Sequence, residues 1–188
     1  RDPRSREVLA CSLGLPPETR LVGFVGRLNW AKDLPTLVAA FARVRARYDD
    51  VALVLVGEGE ERARIESEIA AAGLGDRVFL LGDRHDVPEL LAAFSIFAMS
   101  SVSEGYSIAL LEACASALAI VATEVGGNGE IVKDHINGLV VPPSDPEALA
   151  AALIRLLADP GLATRMGSAG RAWLLENATF NVMASRYL

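Results

Sequence analysis

The chain has 188 residues, of which 52 % are hydrophobic and 22 % charged, enough material for one well-packed domain and not the make-up of a disordered segment. Its formal net charge is -6. That argues against a general nucleic-acid binder, which presents a basic face, but leaves room for a small local anion site. In chain order, residues 4–13 read as an opening helix, followed by the Pro-Pro turn of LGLPPETR. LVGFVG (21–26) is a short apolar run ending in Gly, and residues 33–47 then carry Leu34, Leu37, Val38, Phe41 and Val44 at helical spacing. VALVLVG (51–57) is a second continuous apolar run, as expected of a strand buried on both faces of a parallel sheet. EERARIESEIAAAG (60–73) reads as a helix with a Gly stop, RVFLLG (77–82) as a third strand, DVPELLAAF (86–94) as a short helix and SIFAMSS (95–101) as a fourth strand. Residues 106–116 read as helix, ALAIVAT (117–123) as a fifth strand and NGLVVPP (137–143) as a short sixth. DPEALAAALIRLLAD (145–159) is a helix with Pro146 in its first turn, and residues 160–179 form a helical pair or one broken helix.

This alternation predicts an α/β fold: a Rossmann-like parallel sheet with helices on both faces. Residues 1–20 are expected to be a lead-in helix and turn, forming a single domain with the sheet of 21–188. Ligands of such sheets bind beyond the carboxyl ends of the strands. The chemistry is therefore expected in the loops GRLNWAK (26–32), GEGEE (57–61), GDRHD (82–86), SVSEGYS (101–107) and EVGGNGE (124–130).

GRLNWAK puts an Arg fork and a Lys point charge, Arg27 and Lys32, on the first strand-to-helix loop. Such a pair suits a phosphate or diphosphate; the plainer alternative is two solvated basic residues. The spacing is not that of a Walker A loop, and no GxGxxG follows the first strand. In SEGYSIALLEA, Gly105 permits a sharp turn and Tyr106-Ser107-Ile108 open a helix whose first amides can bind an anion. On a helix running from there, Glu112 lies roughly 10–12 Å from Glu104 at about 1.5 Å per residue. An extended ligand with central phosphates would then meet one carboxylate at each end, and a carboxylate accepts from vicinal hydroxyls. These residues alone equally fit a capping box, Ser101-x-x-Glu104, with Glu112 as an exposed helix residue. EVGGNGE by itself reads as a turn, with Glu130 capping the next short helix.

His85 and His135 stand 50 positions apart, without metal-ligand spacing around them, and read as surface histidines. Cys11 and Cys114 read as buried reduced thiols, since a disulfide scaffold needs more cysteines in a shorter chain. No signal peptide is visible and no apolar run approaches the ~20 residues that span a bilayer. A cytoplasmic location is the default expectation.

Taken in order, GRLNWAKDLPTLVAAFA, VGEGEER, the stretch from FLLGDRHD to EVGGNGEIV, and NGLVVPPSDPEALAAAL resemble the donor-binding, C-terminal half of the family 4 retaining glycosyltransferases of the GT-B fold. The central piece is E-x7-E, Glu104 through Glu112, with G-R-L-x-x-x-K before it and G-G-x-x-E-I-V after it. The resemblance implies that Arg27 and Lys32 hold the donor diphosphate, that Glu104 contacts the donor sugar and that Glu112 binds the ribose. It places the backbone of Gly105, Tyr106, Ser107 and Ile108 against phosphate and sugar, and Arg84 near the base. Arg27, Lys32 and Glu104 are the implied catalytic groups. The reaction implied is glycosyl transfer from a nucleotide diphosphate sugar with retention, by a front-face route in which the leaving phosphate helps deprotonate the acceptor. No metal or other cofactor is expected, because cations and helix amides can neutralise the leaving diphosphate.

The same resemblance implies a second, N-terminal Rossmann-like half that supplies the acceptor site, without which the chain is expected to be inactive. Membrane association, at the inner face, is expected to depend on that half. NATFNVMASRYL at the end resembles the start of a helix crossing back to it. Asp33 stands where many relatives have Gly, Tyr106-Ser107 where Phe-Gly is frequent, and Ala117 and Ala119 where Gly and Pro are common. The second of these changes bears on sugar selectivity. A non-catalytic nucleotide-sugar-binding module is the alternative function. A GT-B-like epimerase is disfavoured by the order of E-x7-E, a phosphorylase by the lack of a cofactor-lysine context, and a response-regulator domain by basic residues where it needs acids.

Overall fold

The computed structural model describes residues 3–178. Six strands form one sheet: β1 (Arg20–Val25), β2 (Val51–Val56), β3 (Val78–Leu80), β4 (Ile96–Met99), β5 (Ala119–Thr123) and β6 (Gly138–Val141). They are all parallel, in the spatial order β3-β2-β1-β4-β5-β6. β2 is buried along its whole length, as its unbroken apolar run requires of a strand covered on both faces.

Helices cover the two faces. On one, α2 (Leu34–Arg45), α3 (Arg62–Ala71) and α7 (Pro146–Ala158) bury Leu37, Phe41, Ile65, Leu149 and Leu153 against one set of strand side chains. On the other, α1 (Pro3–Ser12), α4 (Val87–Ala93) and α5 (Ile108–Ala115) enclose a second core containing Ala10, Leu90, Phe94, Phe97 and Leu110. α6 (Asn128–Ile131) is one turn long, and α8 (Pro160–Asn177) packs on α5 and β5. Asp145 and Asp159 start α7 and α8 by accepting the amides of Ala148 and Leu162, each at 2.8 Å, with Pro in the first turn.

Several boundaries differ from the sequence reading. Residues 160–177 are one unbroken helix, not a pair, because Gly167 and Gly170 are buried at its contact with β5 and α5 and do not interrupt it. α5 starts at Ile108 instead of 106, because the Ser107 hydroxyl accepts the Leu110 amide and caps it there. Glu130 lies inside α6 and caps nothing. Cys114 is buried but Cys11 is exposed, since it falls on the outer side of α1. The expectation for the end of the chain, residues 177–188, falls almost wholly outside the described residues, which end at 178. Among the described residues, no helix is long and apolar enough to cross a membrane.

Candidate functional site

The sheet order has its switch point at β1. The connection through α2 carries the chain to β2 on one side, whereas β4 lies on the other. The loops that leave β1 and β4 therefore diverge, and a crevice opens between them at the carboxyl edge. These are the loops that carry Lys32 and Glu104.

The loop after β1 is anchored by Leu28, which is fully buried, donates its amide to the Glu58 carbonyl (2.8 Å) and accepts the Glu61 amide (3.0 Å). It then makes a short 3-10 turn, Trp30–Lys32, and passes through Asp33 in the left-handed region at φ 44°. Asp at this Gly-typical position is held by its own carboxylate, which accepts from the Thr36 hydroxyl at 2.7 Å. The loop after β4 is stitched to this turn. The Val102 amide bonds the Ala31 carbonyl (2.9 Å), and the Ser100 hydroxyl bonds the Lys32 carbonyl (2.8 Å).

The two charged side chains meet across the seam. Lys32 Nζ lies 2.5 Å from Glu104 Oε1, and the Ser101 hydroxyl donates to the same oxygen at 2.6 Å. The Lys32 and Glu104 side chains are only 18 % and 9 % exposed. Two charges this far out of water persist because they are paired and hydrogen-bonded. The pairing leaves two of the three ammonium protons and all of Oε2 for other partners. Ser101-x-x-Glu104 is thus not a capping box: Ser107 caps the helix, and Ser101 fixes the glutamate inside a turn.

The glycine-rich loop after β5 braces that turn. A Cβ on Gly126, whose φ is +49°, would lie 1.8 Å from the Glu104 carbonyl oxygen, and the Gly127 amide bonds the Gly105 carbonyl at 2.9 Å. Thr123 bonds the Ser101 carbonyl at 2.6 Å, and the fully buried Asn128 donates to the Thr123 carbonyl at 3.1 Å. The E-V-G-G-N-G-E run is therefore a structural back wall, a role its composition did not disclose. Ser100, Ser101, Thr123 and Asn128 are the positioning residues that sequence reading missed. The one available signal was the i,i+3 spacing of Ser101 and Glu104.

Arg27 and Arg84 belong to a neighbouring cavity of about 540 Å³ at the ends of β1, β2 and β3, where Glu58 and Asp83 also line the wall. Gly57 lets these ends close up, since a Cβ there would sit 2.0 Å from the Gly26 carbonyl oxygen. Arg27 is 74 % exposed, with Nε 3.7 Å from Glu60. Arg84 is clamped by both carboxylate oxygens of Asp86, at 2.7 and 2.5 Å. The clamp raises the Arg84 pKa and holds the Asp86 carboxyl below its ordinary 3.8. So Arg27 and Arg84 come together, Lys32 and Glu104 come together, and Lys32 does not line the arginine cavity.

Glu112 is exposed on α5, one turn past Ile108, and its carboxylate has no partner among the described residues. Only four helical steps separate it from Ile108, about 6 Å of rise. Tyr106 and Ile108 are exposed at the mouth, while Ser107 is buried under the helix start. His85 and His135 are both exposed, and no group of three or more His, Cys, Asp or Glu among the described residues is placed to hold a metal ion.

The sequence model of the family described as Glycosyl transferases group 1 matches residues 5–173. The chain belongs to this family. It is 36 % identical to the alpha-maltose-1-phosphate synthase of Mycobacterium tuberculosis over 199 aligned positions, which cover 98 % of this chain and 50 % of that protein. The structure matches that of Anabaena HepE in complex with UDP and glucose, with a TM-score of 0.91 at 25 % identity over 100 % of this chain and 51 % of HepE. It also matches the C-terminal domain of a group 1 glycosyl transferase, LpcC from Francisella tularensis, with a TM-score of 0.83 at 25 % identity over 96 % of this chain and 99 % of that one. The fold is thus the Rossmann-like C-terminal domain of a GT-B glycosyltransferase. The chain spans about half the length of the curated relatives it matches.

Proposed function

We propose that this group 1 domain binds a nucleoside diphosphate sugar across the crevice at β1 and β4 and takes part in glycosyl transfer with retention. The observation that carries the reading is the Lys32–Glu104 pair, nearly buried at the switch point beside the start of α5. In this reading the donor diphosphate lies between the free protons of Lys32, the Arg27 guanidinium and the first amides of α5. Those groups stabilise the charge that develops on the leaving oxygen. Glu104 Oε2 accepts from sugar hydroxyls, Glu112 from the ribose hydroxyls, and Arg84 edges the base in the 540 Å³ cavity. Gly105 and Tyr106 shape the turn against the sugar. The bond from the anomeric carbon to the diphosphate oxygen breaks, the acceptor hydroxyl adds on the same face, and its proton passes to the departing diphosphate. UDP and glucose in HepE support a nucleotide-sugar donor. The share of the relatives' length that this chain spans supports a partner half carrying the acceptor site.

Calorimetry against UDP-, GDP- and ADP-sugars tests the donor site. At least one is expected to bind the wild-type chain and to bind Lys32→Ala at least about tenfold more weakly. Silence from the folded protein across the panel would sink it.

A further inference from the structure

We propose that a second cavity, at the opposite edge of the sheet, binds a small oxyanion of the phosphate class. This cavity, about 220 Å³, lies where β1 and β4 begin, remote from the crevice at their far ends, and does not depend on the donor-site reading. Its polar lining includes Arg6 of α1, Arg20 at the start of β1 and Ser95 just before β4.

The two arginines differ in what they already do. Arg20 is fixed: Nε and Nη2 bond Asp50 at 2.8 and 2.6 Å, Nη1 bonds the Leu157 carbonyl at 2.9 Å, and its plane lies over Tyr48 at 4.8 Å. Three of its five donors are used, and the others are held in a set direction. Arg6 has no such tie. Its Nε is buried without an acceptor, and no carboxylate pairs with it among the described residues. Asp50 is engaged with Arg20 itself, and Asp159, next to Pro160 of the lining, accepts the Leu162 amide. Ser95 Oγ accepts the Leu21 amide at 3.3 Å, so its proton is free to be donated.

A buried cationic N–H without an acceptor is costly, and a chain of net charge -6 has many carboxylates it did not place there. Ile96, Leu156 and Leu157 give the cavity apolar walls, which strengthen a charge pair formed within it. Two arginines and a serine lining one small space offer donors for the several acceptor oxygens of a phosphate.

The test is a titration of the isotope-labelled chain with inorganic phosphate at constant ionic strength, followed by amide NMR shifts. It is run on the wild type, Arg6→Ala and Lys32→Ala, with acetate as a second anion. Arg6→Ala removes no hydrogen bond among the described residues, so its fold and thermal midpoint are expected to hold. Saturable shifts at Leu21, Ser95 and Ile96 are expected, weakened by about tenfold or more in Arg6→Ala and unchanged in Lys32→Ala. Tighter binding of phosphate than of acetate supports the phosphate class. Tighter acetate binding overturns that class, and shifts that are absent, or equal in Arg6→Ala, overturn the site.

Discussion

The two halves of the carboxyl edge solve the same problem in opposite ways. At β1/β4, Lys32 and Glu104 are drawn out of water, paired, and held by Ser101, Ser100 and a braced backbone. At β1/β2/β3, Arg27 stands 74 % exposed with one loose acidic neighbour, and Arg84 is tied to Asp86 at the surface. The first arrangement has met its ordering cost on folding, so a ligand gains the full interaction. The second leaves Arg27 to be ordered by whatever binds and leaves its charge open to screening by salt. One cluster is built for geometry and the other for attraction.

The comparison breaks most visibly at Gly126. Gly126→Ala puts a methyl into the Glu104 carbonyl at a backbone angle that L-residues resist. A loss of about 2–4 kcal/mol is expected, with the thermal midpoint falling about 2–4 °C per kcal/mol and donor binding abolished. Calorimetry and a melting curve read both. Next comes Lys32→Ala, which removes a charge-assisted contact in a nearly buried place. A loss of about 1.5–3 kcal/mol, or about 10- to 150-fold in donor affinity, is expected and should change little with salt. Arg27→Ala should cost less, about 0.2–1 kcal/mol, and the loss should shrink as ionic strength rises. Equal losses with equal salt dependence would erase the distinction between the two clusters.

The smallest effect sharpens the cavity side. Arg84 depresses the Asp86 pKa, chiefly through their hydrogen bonds. A depressed carboxyl contributes above its unfolded pKa, and the contribution is lost as pH falls through the folded value. The clamp is therefore intact at neutral pH and opens only below 3.8. An NMR titration of Asp86 should show a midpoint below 3.8 in the wild type, rising in Arg84→Ala.

Much of this was legible in the sequence, and the exceptions share a cause. The apolar runs gave six strands in the right places, since burial on both faces writes itself into consecutive residues, as in VALVLV. Arg27 and Lys32 stood out as basic residues on the loop after the first buried strand, though solvated residues fitted as well; the roles of Arg84, Glu104 and Glu112 came from the family resemblance. What could not be read was pairing. Periodicity locates a strand but not its neighbours, so the meeting of the β1 and β4 loops emerged only with the sheet order. Ser101 and Glu104 have the spacing of a capping box and make a side-chain bond instead, because Ser107 competes for the helix start and wins. Gly126 and Asn128 looked like turn residues, for Gly126 fits against the Glu104 carbonyl in the loop after β4 and Asn128 bonds the Thr123 carbonyl at the end of β5.

The central claim is that Glu104 faces the donor sugar from a preformed pair. Its most direct test is calorimetry of Glu104→Gln with a nucleoside diphosphate alone and with the corresponding nucleotide sugar. Glutamine keeps the shape and loses the charge. The account predicts that affinity for the sugar nucleotide falls about tenfold while that for the free nucleotide is unchanged. An equal fall for both would contradict it, placing Glu104 at the nucleotide and not at the sugar.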